Sequence, residues 1–186
     1  MDSGQCLRHR LSLFVAFCLS LGSSLAVAQG KIRIVVSVDW EGRNLDPESL
    51  AAMQAFRSDY PKIPLEMFLN AAYFTKPDAD SKQIVASIES VLRPGDEYGL
   101  HIHAWRSLFT AAGVKFRIEP AFRGPIDLEK CAPDCGHDVN LTAYSEGELR
   151  KVIRFSLNTL EKQGLGRAKS FRAGAWQADK KVLRAL

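Results

Sequence analysis

The sequence predicts an α/β protein: a partial (β/α) barrel of parallel strands with about four βα units. Two observations carry this prediction. Short apolar runs of strand length alternate with longer stretches whose apolar residues recur at helical spacing, the pattern of βα units around a parallel sheet. Three of the four strand-like runs end in polar or charged side chains, and the carboxyl ends of parallel strands are where α/β proteins meet ligands.

Taken in order, residues 1–28 read as a secretion signal. Arg8, His9 and Arg10 precede an apolar run from Leu11 to Leu21, and Ala26, Val27 and Ala28 make a small-x-small cleavage pattern. The apolar run is shorter than the roughly 20 residues of a membrane span. Export to a periplasm or the cell exterior is therefore expected, without lasting membrane insertion, in place of an uncleaved anchor. Residues 29–186 form the remaining domain. Without Arg8, Arg10 and Asp2 it carries 23 basic and 20 acidic residues. That balance, with no basic cluster interleaved with aromatics, argues against a nucleic-acid partner. Only Cys131 and Cys135 remain of the four cysteines. An oxidising compartment favours a disulfide over a metal site for this pair, although spacing alone leaves the geometry open.

The first strand is read where Ile32, Ile34, Val36 and Val38 alternate, running into Asp39, Trp40, Glu41 and Gly42. Asp46 and Pro47 then form a helix start, followed by Leu50, Met53, Phe56 and Tyr60 at helical spacing, with Pro61 and Pro64 closing the helix. Leu65 to Leu69 reads as the second strand, ending at Asn70. Asp80 and Gln83 make a capping pair for a helix with the apolar stripe Ile84, Val85, Ile88, Val91 and Leu92, stopped by Pro94 and Gly95. The third strand spans Glu97 to His103. The connection from about Arg106 to Tyr144 is far longer than is usual, so it is either functional or poorly ordered. Ser145 and Glu148 form a capping box for a helix carrying Leu149, Val152, Ile153 and Leu160. Ala168 to Arg172 reads as the fourth strand, and a last helix starts near Gln177 or Ala178. Strand ends near 38, 69, 103 and 172 fall short of the roughly eight of a closed barrel. The expectation is an incomplete domain with an open sheet edge and weak or no activity alone.

Asp39 and Glu41 face one way if the strand stays extended, and carboxylates held that close need a cation or an arginine between them. The alternative is an ordinary strand-to-loop transition. His101 and His103 likewise share a face, which suits joint ligation of one metal, whereas a lone histidine is more often a satisfied core or surface residue. With Glu41 they make two histidines and one carboxylate with an open coordination position, a set found in hydrolytic zinc sites and in non-haem iron oxygenases.

The order of these motifs behind a secretion signal resembles that of the polysaccharide deacetylases. An acidic pair comes first, then a histidine pair, then Arg172 with Trp176 four positions on. The family is the carbohydrate esterase group that includes chitin, peptidoglycan and nodulation deacetylases. The resemblance covers roughly residues 31–186 and rests on three short motifs. It implies that Asp39 is the general base, Glu41 a metal ligand, and Arg172 the residue that orients Asp39. The family spaces its two histidines by three residues; His101 and His103 are spaced by one, and Trp105 stands where the second would fall. The third motif usually reads Arg-x-Pro-aromatic, but Phe171 to Trp176 has no proline and one extra residue.

The implied activity is metal-dependent hydrolysis of N-acetyl or O-acetyl groups on a polysaccharide. A divalent metal, expected to be zinc, brings the pKa of water towards about 7, and Asp39 takes the proton. The oxyanion needs a donor besides the metal, such as a backbone N–H near Ala72 or Tyr73. Tyr73, Trp105 and Trp176 are the candidate substrate contacts, the two tryptophans either stacking on sugar faces or simply packing. The family's later strands bring a further aspartate and a histidine general acid; no histidine follows His137, which reads as a solvated loop residue. The expected partner is an N-acetylated polysaccharide. Two rival readings are a non-catalytic carbohydrate-binding remnant and a metal hydrolase acting on another amide or ester.

Overall fold

Four short strands set the architecture: β1 (Ser37–Asp39), β2 (Glu66–Leu69), β3 (Glu97–Ile102) and β4 (Ser170–Ala173). In the computed structural model, which describes residues 31–186, they pair in parallel in the order β1-β2-β3-β4. The sheet curls into a half-barrel. The expected secretion signal lies outside the described residues. Among the described residues no helix is long and apolar enough to cross a membrane.

Strand period sorts the side chains. Met67, Leu69, Leu100, Ile102 and Ala173 point to one face and are buried in the core. The opposite face carries Ser37, Asp39, Glu66, Phe68, Gly99, His101, Ser170 and Arg172. Gly99 lets that face close: a Cβ there would come within 2.7 Å of the Ser170 hydroxyl and closer still to the Phe68 ring. Over it, the Ser170 hydroxyl donates to Glu66 Oε1 at 2.5 Å.

The helices follow their caps. Asp46 accepts from the N–H groups of Glu48 and Ser49 to open α1 (Pro47–Asp59). Asp80 does the same for α2 (Ser81–Glu89), accepting from Lys82 and Gln83. A short α3 (Arg106–Ala111) follows β3. Ser145 and Glu148 form a reciprocal capping box on α4 (Glu146–Lys162). The last helix, α5 (Lys180–Ala185), starts later than residues 177–178, because Asp179 is the side chain that caps it. Arg57 of α1 is buried and locks the far end of the sheet. It donates to the carbonyls of Val91 and Ile63 and pairs with Asp96, which also accepts from the N–H groups of Leu65 and Arg93.

Two expectations change. The first strand begins at Ser37, with Ile32 and Ile34 89% and 83% exposed. Its partner β2 starts only at Glu66, after Pro64, which has no N–H to offer a ladder. The long connection is neither strand nor simple loop. It contains α3, single turns of 3-10 helix at Leu128–Lys130 and Leu141–Ala143, and a disulfide between Cys131 and Cys135.

Candidate metal centre

Glu41 reaches the site through a tight turn after β1. The ladder runs one step past the strand, with Trp40 N–H donating to the Phe68 carbonyl. Gly42 then takes φ +78°, and a Cβ there would lie 2.8 Å from Asn70 and from Trp105 Nε1, so only glycine fits. Those two side chains hold the turn: Trp105 Nε1 donates to the Glu41 carbonyl at 2.8 Å and Asn70 Nδ2 at 3.2 Å.

His101 lies in β3 and His103 just past its end, both buried. Each ring is fixed by a backbone carbonyl: His101 Nδ1 sits 3.0 Å from Arg172 O, and His103 Nδ1 2.5 Å from His137 O. Carbonyls only accept, so both Nδ1 atoms carry the proton and both Nε2 atoms are left as lone-pair donors. Both Nε2 atoms are buried without a hydrogen-bond partner. They face the Glu41 carboxylate, His103 Nε2 at 2.6 Å and His101 Nε2 at 3.8 Å. Room for the His103 ring comes from Gly174, where a Cβ would approach it to 2.5 Å. The three ligand atoms lie within 4.8 Å of one another. Electron-rich atoms converging in this way repel unless a cation lies among them. The Glu41, His101 and His103 group could therefore hold a metal ion.

Beside it, Asp39 Oδ1 accepts from Arg172 Nη1 at 2.6 Å, while Arg172 Nη2 donates to Ser37 Oγ at 3.0 Å. The guanidinium lies between the Phe68 and Trp176 rings, 4.0 and 4.9 Å from their centroids. Trp176 is 78% exposed at the rim. Both Trp176 and Ala175 adopt positive φ, 60° and 51°, a conformation that costs a non-glycine residue of order 1–3 kcal/mol. A cleft of about 280 Å³ beside β1 is lined by Asp39, Trp40, Glu41, Leu45, Leu50 and Tyr73, among others.

The structure also places the remaining candidates, the Cys131–Cys135 disulfide as expected and the others as follows. Trp105 is 4% exposed, with His137, Arg43 and Lys76 packed around its ring. It therefore packs and clamps the Glu41 turn instead of offering a face to a sugar. Tyr73 is buried edge-on against Trp40, 6.5 Å between centroids, and burial pushes its phenol up to about 12. The Ala72 N–H is spent on Asn70 Oδ1 at 2.9 Å, so it is not a spare oxyanion donor. His137 is half-buried and stacked 5.2 Å from Trp105, not a solvated loop residue. Its contribution to the site is a backbone carbonyl, which no side-chain pattern in the sequence could have announced. Cys131 and Cys135 are bonded to each other and are not metal ligands.

The fold and site define a partial α/β barrel carrying a two-histidine, one-carboxylate group at its strand ends. Compared with protein-family models, curated proteins and solved structures, the chain matches none.

Proposed function

We propose that the protein is a metal-dependent hydrolase that removes acetyl groups from an N-acetylated polysaccharide, with zinc as the metal. The observation that carries the reading is the pairing of both histidine Nδ1 atoms with backbone carbonyls, which leaves two Nε2 lone pairs and the Glu41 carboxylate facing one point. Two imidazoles and a carboxylate suit zinc, and hydrolysis needs no redox change, which favours zinc over iron. A divalent ion held there supplies Lewis acidity and a lowered pKa for water.

The chain's own groups account for the rest. Asp39 is the carboxylate next along β1 from Glu41 and accepts the proton of the attacking water. Arg172 holds that carboxylate in place from the opposite edge of the sheet. Trp176, exposed at the rim, supports a polysaccharide substrate, since an exposed aromatic face stacks on a sugar ring. The same residue also favours the second reading, a carbohydrate-binding module without turnover, because stacking needs no proton donor.

The test is to load the full chain with Zn²⁺, measure metal content by elemental analysis, and assay acetate release from a chito-oligosaccharide. One zinc per chain with acetate release supports the deacetylase. Oligosaccharide binding without acetate release supports the binding module instead.

A further inference from the structure

We propose that the disulfide-closed loop around Cys131–Cys135 is the positioning element for metal ligation by His103. The inference rests on the metal reading above and extends it to a segment remote in sequence from every ligand. The two histidines are held by unlike means. His101 is bonded to the carbonyl of Arg172, its register partner in the sheet, so the β3–β4 ladder itself sets its ring. His103 lies one residue past the end of β3, where the ladder no longer reaches. Its Nδ1 acceptor is the carbonyl of His137, which comes from the long connection, two residues beyond Cys135.

That carbonyl is held by a network centred on the loop. Asp134 Oδ1 accepts from Ser107 N–H at 3.1 Å and Oδ2 from Ser107 Oγ at 2.6 Å. The Cys135 carbonyl accepts from Arg106 N–H at 2.8 Å. Asp134 thus caps the first turn of α3, whose own N-cap residue, Trp105, makes no side-chain cap bond. Asp134 Oδ1 also accepts from the Cys135 N–H at 3.0 Å, which turns the chain towards the site. Gly136 then takes φ +98° and lies so close to Ala104 that a Cβ would meet the Ala104 carbonyl oxygen and the Phe116 ring at 2.5 Å. The disulfide closes the loop across Asp134, so the anchor and the His137 carbonyl are held in one small unit.

If the loop loosens, His103 Nδ1–H loses its acceptor. The ring is then free to turn, or to exchange tautomer and present an N–H where a lone pair is needed. Removing outer-shell partners of this kind costs about 10- to 100-fold in metal affinity. His101, set by the sheet, keeps its orientation, so binding is weakened and distorted but not abolished.

The test titrates the metal-free full chain with Co²⁺ and reads both affinity and the visible ligand-field spectrum. It compares wild type with a Cys131→Ser, Cys135→Ser double variant and with Asp134→Ala, which keeps the disulfide and removes only the anchor on α3. Circular dichroism establishes that each variant is folded. The expected result is an affinity lower by about 10- to 100-fold for the double variant, a smaller loss for Asp134→Ala, and an altered cobalt spectrum in both. Wild-type affinity and spectrum in the folded Asp134→Ala variant would overturn the inference, whatever the double variant does. A wild type that binds no Co²⁺ would instead overturn the metal centre itself, and this inference with it.

Discussion

Arg172 Nη1 meets Asp39 Oδ1 at 2.6 Å although two strands, β2 and β3, lie between them. Strands sit about 4.8 Å apart, so three spacings on a flat sheet separate the edge strands by about 14 Å. Side chains stand roughly perpendicular to a sheet and could not bridge that gap on a flat one. The contact therefore records the curl. Arg172 passes over the Phe68 ring of β2 on the way. Arg172 thereby links the edge strand that carries the proposed base to the strand whose backbone carbonyl fixes the His101 ring.

Arg172→Ala should therefore cost stability as well as activity. It leaves the Asp39 carboxylate without its charged donor, a loss of about 1–3 kcal/mol, read as a lower urea midpoint. An unchanged midpoint would show that the pair does not hold the curl.

Asp39→Asn should lower acetate release by at least about 100-fold while elemental analysis still finds the metal. Loss of the metal in this variant would make Asp39 a ligand and place the base elsewhere.

Glu41→Gln and His101→Ala should each bring metal content from about one ion per chain towards none, because each removes one of the three proposed ligands found among the described residues. Full occupancy in either variant would rule that residue out of the site.

Arg57→Met should destabilise the fold by about 3–5 kcal/mol without touching metal content. Arg57 and Asp96 are both nearly inaccessible to solvent, so removing one partner leaves an uncompensated buried charge. A urea titration with parallel metal analysis separates the two effects.

Burial pushes the Tyr73 and Tyr144 phenols from 10.0 up to about 12. The folded state holds these protons more tightly than the unfolded chain. Their contribution to stability is thus complete below pH 10 and is lost as pH rises through about 12. Urea midpoints measured from pH 9 to 12 should fall across that window, and Tyr73→Phe and Tyr144→Phe should each flatten the decline. A wild-type midpoint that stays constant to pH 12 would contradict this account.

Local patterns in the sequence determined the βα order, most of the caps and the two-residue spacing that sends His101 and His103 the same way. Each of these depends on neighbours within about one turn or one strand step, where period and capping chemistry act directly. The sequence also placed Asp39, Glu41 and Arg172 at strand ends, although their meeting relied on a barrel-like curl that no local pattern encodes. Tertiary structure decided the rest. Trp105 proved to be a clamp on the Glu41 turn, because Gly42 brings that backbone within reach of its indole N–H. Arg57 found Asp96 39 residues away, a pairing invisible in a helix read only for its apolar stripe. His137 contributes through its carbonyl, and every residue but proline offers the same backbone groups, so composition could not single it out. The strand ends and their chemistry follow from short-range periodicity, while the orientation of each ligand depends on backbone groups that only folding brings near.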